Sequence, residues 1–142
     1  MAEPWTDADV LTAAHLAGMP WGVMGYVNGS GTQAVTAEAD LTGLSVTFTA
    51  VSSRLYRTTL SLYGSQATLG SVFLIIADGA SALVERTAHT IVDTYSAGLT
   101  VVSLQTGLSG STTRKGRCSA SAGTFTAQLA YGSIIVEDVG AA

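Results

Sequence analysis

The groups in this 142-residue sequence that could do chemistry are two histidines, one cysteine, ten carboxylates and an abundance of serine. A metal site needs His, Cys or carboxylate side chains clustered at ligand spacing. Neither His15 nor His89 has such neighbours in sequence. His15 reads as a contact on a helix face and His89 as a strand-surface residue. Nucleophilic catalysis needs a Ser or Cys, a base and an acid that orients the base. His89 and Asp93 stand near many serines, a coincidence expected in so serine-rich a chain, and no Gly-x-Ser-x-Gly elbow is present. Glu137 and Asp138 are adjacent carboxylates, but neighbours on a strand point to opposite faces and cannot serve one substrate together. Asp7 and Asp9 fit the start of a helix, where the macrodipole favours negative charge. The Asn28–Gly31 segment is glycine-rich, yet it lacks the lysine and following helix of a phosphate loop. These residues point to no catalytic, metal or cofactor site, and the chain is expected not to be an enzyme.

Charge narrows the partners. Only 11% of residues are charged, with a net charge of −4, against about 25% in an ordinary soluble domain. So few charges cannot solvate the whole surface densely, so part of it is expected to be neutral and covered by other subunits. A nucleic-acid binder would be basic overall, and this chain is not. Three of its six basic residues gather at Arg114, Lys115 and Arg117. They read either as a solvated strand edge that discourages aggregation or as a contact with an acidic patch on a neighbouring subunit. The lone Cys118 cannot form an internal disulfide and reads as a half-buried small residue in a strand. Acids at Glu3, Asp7 and Asp9 argue against a signal peptide. The longest apolar runs, such as Val72 to Ala77, are too short to span a bilayer as a helix. Synthesis in a cytoplasm, without a membrane partner, is expected.

Residues 6–19 carry the one good helix pattern. Thr6 and Asp9 make a capping box, Val10, Leu11, Ala14 and Ala17 recur at helical spacing, and Gly18 and Pro20 close it. So short a helix must dock on its own sheet or on a neighbour. Beyond Pro20 the period becomes two. Trp21, Val23, Gly25 and Val27 fall on one face, with Met24 and Tyr26 on the other. Leu44, Val46, Phe48 and Ala50 alternate with polar residues, as do Tyr56, Thr58, Leu60 and Leu62, and then Leu99, Val101 and Ser103. Val72–Ala77 is apolar on both faces, the pattern of a central strand. Residues 114–120 and 124–131 read as a hairpin around Ala122–Gly123, and Ser133–Asp138 as a last strand. The predicted architecture is all-β: an antiparallel β-sandwich or jelly roll of about eight to ten strands. It divides into an N-terminal arm and short helix over 1–19 and a sandwich over 20–142. Trp5 and Trp21 flank the helix as candidate interface anchors.

Two stretches resemble a known family. The first runs from Trp5 to Leu16. The second begins with Met19–Tyr26, continues through Asp40–Phe48 and Arg54–Arg57, and ends with Ile134–Gly140. Their order is similar to actinobacteriophage virion surface proteins, a group of head decoration and minor tail proteins. The resemblance implies a β-sandwich that assembles on a virion as a homotrimer, with the phage major capsid protein or tail proteins as partners. The absence of heptads or collagen-like triplets favours a head decoration or minor capsid protein over a minor tail or tail-fibre protein. On that reading Trp5, Val10, Leu11, Leu16, Trp21, Arg114, Lys115 and Arg117 are the candidate capsid or intersubunit contacts. A third reading is a sandwich that grips a host glycan, with Tyr63 and Tyr131 as the stacking residues near predicted turns.

Overall fold

A computed structural model describes residues 18–91 and 96–142. The helix expected over 6–19 falls outside them except for Gly18 and Met19, and Trp5, Val10, Leu11, His15, Leu16 and Asp93 lie outside altogether. Nine strands follow in chain order among the described residues: β1 (Gly22–Asn28), β2 (Thr32–Val35), β3 (Ala39–Ala50), β4 (Arg54–Gln66), β5 (Gly70–Asp78), β6 (Leu83–Ile91), β7 (Ser96–Gln105), β8 (Gly110–Ala120) and β9 (Phe125–Ala141). They form two sheets whose pairings are all antiparallel. The five-stranded sheet has the order β1-β9-β4-β7, with β2 continuing the line of β1 along the far half of β9. The four-stranded sheet has the order β3-β8-β5-β6. The described residues form an all-β sandwich.

Period-two patterning explains the core. Leu44, Val46, Phe48 and Ala50 of β3 meet Tyr56, Leu60 and Leu62 of β4, Leu74 and Ile76 of β5, Leu99 and Val101 of β7, and Ile134 and Val136 of β9 in one buried cluster. Each strand contributes alternate residues because successive side chains leave a strand on opposite sides. β5 is central in its sheet, as its two-faced apolarity predicts. Ile75 is buried although it faces outward, and its register partners are Arg117 and Arg86. Long arginine stems beside an outward apolar residue shield it from water while their heads stay solvated. Arg86 also lies over the Phe73 ring, 4.9 Å from its centroid.

Three expectations need correction. β8 and β9 are not a hairpin, because β8 joins the four-stranded sheet and β9 the five-stranded one. Residues 121–124 carry the chain between layers, and turn residues alone cannot tell a hairpin from a crossover. The segments 124–131 and 133–138 belong to one strand, β9, broken in register by a bulge. In β1 a bulge between Val23 and Gly25 inserts Met24, so Val23 and Met24 exchange their expected faces while Gly25, Tyr26 and Val27 keep theirs. Met24 and Val27 pack on the core, whereas Val23 and Tyr26 both face solvent.

Candidate interaction surface

The two neighbouring carboxylates of β9 go to opposite sides of the sheet, as strand geometry requires. Asp138 turns inward and is buried with Arg54. Arg54 donates from Nε to Oδ2 at 2.7 Å and from Nη2 to Oδ1 at 2.5 Å. The backbone N–H groups of Gly140 and Trp21 also point at Oδ1, at 3.0 and 3.4 Å. The Arg54 hydrogen bonds hold the Asp138 carboxyl below its ordinary value, with the two backbone donors adding to them against the opposing effect of burial. Arg54 further donates to the Met19 carbonyl at 2.5 Å, and its guanidinium lies 4.2 Å from the Trp21 ring centroid. This cluster clamps the chain at residues 19–21 to the two central strands of the larger sheet. Glu137 turns outward instead and pairs with Arg57, Nη2 to Oε2 at 2.9 Å.

The Arg114–Arg117 cluster is not a free basic patch. β8 lies between β3 and β5, so the strand-edge reading is wrong. Arg114 points inward and is buried, with Nε and Nη2 donating to Gln105 Oε1 at 3.0 and 2.5 Å. Burial lowers its pKa, opposed by the charge of Asp78. Lys115 Nζ meets Asp40 Oδ2 at 3.3 Å, while Arg117 Nε meets Asp40 Oδ1 at 2.6 Å and its Nη1 pairs with Glu38. Burial works to raise the Asp40 carboxyl, but the hydrogen bonds and charges of Arg117 and Lys115 together hold it below the ordinary value. All three cations therefore have partners within the chain.

His89 is half-buried rather than at the strand surface. It stands opposite the fully buried Val72, and its Nε2 is buried without a hydrogen-bond partner. Cys118 is fully buried rather than half-buried, and burial pushes its thiol up to about 12.

What the structure assembles, and sequence reasoning missed, is the outer face of the five-stranded sheet. One row across β1, β9, β4 and β7 reads Val23, Glu137, Arg57, Leu104, and the next reads Tyr26, Ile135, Thr59, Val102. Val23, Tyr26, Val102 and Leu104 are 45–63% exposed. The only charges in these two rows are the Arg57–Glu137 pair, which neutralises itself. A more polar row of Asn28, Ser133, Ser61 and Thr100 follows. Beyond it Tyr63 and Tyr131 meet edge to face, with ring centroids 6.1 Å apart and an interplanar angle of 81°. Polar-looking alternation on β4 and β7 hid this surface, because its apolar members come from strands far apart in sequence. Trp21 is half exposed at the nearby clamp.

Compared with known proteins, the chain matches no protein-family profile and no curated protein.

Proposed function

We infer that this chain is a non-enzymatic structural protein of a bacteriophage virion: a head decoration or minor capsid protein, made in the host cytoplasm, that binds the major capsid lattice as a homotrimer. The observation that carries the assembly half of this reading is the outer face that exposes Val23, Tyr26, Val102 and Leu104, with half-buried Ile135 and the self-neutralising Arg57–Glu137 pair between them. Contiguous exposed apolar surface on a soluble domain marks a site where another surface docks. Internal pairing of Arg114, Lys115 and Arg117 moves the expected contact away from those cations and onto this face. The resemblance of Trp5–Leu16, Met19–Tyr26, Asp40–Phe48 and Ile134–Gly140 to virion surface proteins supplies the particle. The clamp on Met19 and Trp21 fixes the backbone of residues 19–21 to the sandwich.

The test is location and mass together. A tagged copy visualised on purified virions is expected on heads, and the isolated protein is expected to sediment as a trimer. Val102→Asp with Leu104→Asp should lower both mass and incorporation, and removal of residues 1–17 should abolish incorporation while the sandwich stays folded. A tag found only at the tail would replace decoration by a tail role. A tagged chain missing from the particle altogether would end the virion reading.

A further inference from the structure

We propose that the cleft at Tyr63 and Tyr131 binds a neutral carbohydrate, with a pyranose ring lying against the tyrosine faces. This site does not depend on the assembly reading, because it sits at the other end of the outer face and rests on different residues. The two tyrosines are 68 residues apart in sequence, and the fold brings them together beside an open cleft that both rings line. Tyr63 is 40% exposed and Tyr131 is 74% exposed.

The display is built into the backbone. In register, Ser61 of β4 pairs with Ser133 and Tyr63 pairs with Gln128, so residues 129–132 of β9 stand opposite Leu62 alone. This bulge swings Tyr131 out of the sheet beside Tyr63. Bulges are a common device for re-aiming a side chain. Glycine at 132 eases the close packing there, since a Cβ would lie 3.1 Å from Leu44 Cδ1 and 3.2 Å from the Leu129 carbonyl oxygen. The turn between β1 and β2 pairs with the distorted backbone, Gly29 N–H donating to the Gly132 carbonyl at 3.0 Å and Ala130 N–H to the Gly31 carbonyl at 3.1 Å. The bulge is therefore fully hydrogen-bonded at these points and held in place.

The surroundings select the ligand class. A pyranose presents a face of C–H groups, which packs on an aromatic ring, and a rim of hydroxyls, which needs neutral donors and acceptors. The row containing Tyr63 reads Thr32, Gln128, Tyr63, Gly98, and the next is Asn28, Ser133, Ser61, Thr100. These amides and hydroxyls can bond a sugar rim. At Gly98 a side chain would meet nothing within 4 Å, so the floor beside Tyr63 is open. The nearest outward charge along β4 is Arg57, six residues or about 20 Å away by strand rise, and it is paired with Glu137. Among the described residues of this face, nothing near the tyrosines would hold a carboxylate or sulfate, so the site suits neutral sugars.

The experiment presents the full chain to a glycan array that carries neutral gluco-, manno-, galacto- and N-acetylglucosamine oligosaccharides beside sialylated and sulfated ones, and then titrates the hits by calorimetry. Saturable binding to a neutral series is expected. It should weaken tenfold or more in Tyr131→Ala and in Tyr63→Ala, and be kept largely in Tyr131→Phe. Tyr131 is the more exposed of the two, so its variant carries the test should Tyr63→Ala perturb folding. The proposal is overturned by no saturable neutral binding, by binding confined to charged glycans, or by binding that survives loss of both rings. A fall in oligomer mass with Tyr131→Ala and no glycan binding would also overturn it, assigning the ring to a contact between copies.

Discussion

Leu60 and Gly116 face each other across the two sheets, and the pair offers a sharp test of how the core is packed. Leu60 is fully buried on β4. A Cβ on Gly116 of β8 would lie 2.8 Å from Leu60 Cδ1, 3.3 Å from Cδ2 and 3.4 Å from Leu44 Cβ. Leu60→Ala removes three carbons, which at about 0.8 kcal/mol each is about 2.4 kcal/mol of transfer free energy. The cavity adds to this, for a total of about 3–4 kcal/mol. For a chain of this size that is a drop in Tm of about 10 °C. Gly116→Ala alone forces its methyl against Leu60 and should cost about 1–3 kcal/mol through overpacking. Alanine's advantage over glycine in a strand offsets about 0.5–1 kcal/mol of that. In the double variant the new methyl enters the space that Leu60 vacates. It should therefore be more stable than Leu60→Ala by about 1 kcal/mol, with a coupling energy of about 2 kcal/mol or more. Urea denaturation followed by circular dichroism and tryptophan fluorescence measures all four corners of the cycle. A double variant less stable than Leu60→Ala, or single effects that simply add, would refute this packing.

Two further predictions concern ionisable groups. Asp138→Asn leaves the Arg54 guanidinium facing an amide in a buried site and should lower Tm by several degrees, whereas Arg54→Met with Asp138→Leu, which removes both charges, should recover most of the loss. The folded carboxyl of Asp138 is held below its ordinary value of 3.8, so its contribution is fully present above that pH and fades as pH falls through the depressed value. The stability gap between wild type and Asp138→Asn should narrow in that acidic range, and a gap that is constant with pH would contradict the assignment. Native Cys118, with its thiol raised to about 12 by burial, should resist thiol reagents at pH 8 and react only at the rate of unfolding. Rapid labelling of the folded protein would place it at the surface.

How much of this was legible beforehand depends on the length scale of each cause. Alternation at Leu44–Ala50, at Tyr56–Leu62 and at Leu99–Ser103 identified strands and their buried faces, because a side chain's face is settled by local backbone geometry. The same parity rule separated Glu137 from Asp138, and both fall as expected. An inward carboxylate in the run Ile134, Val136, Asp138 was itself a signal that a buried cation must meet it, although nothing local named Arg54, 84 residues earlier.

The sequence alone determined an all-β sandwich with turn residues between strands, since period, β-branched content and glycine placement act over a few residues. Only the tertiary structure decided which strands share a sheet, where the bulges fall and what the outer faces carry. Residues 121–124 can turn a hairpin or cross between layers, and long-range pairing makes that choice. A single inserted residue, Met24, breaks the parity of β1 and sends Val23 outward with Tyr26. The bulge at 129–132 sets Tyr131 beside Tyr63. The two surfaces that do gather residues, one apolar and one aromatic, are products of strand order and register, which no stretch of sequence contains by itself.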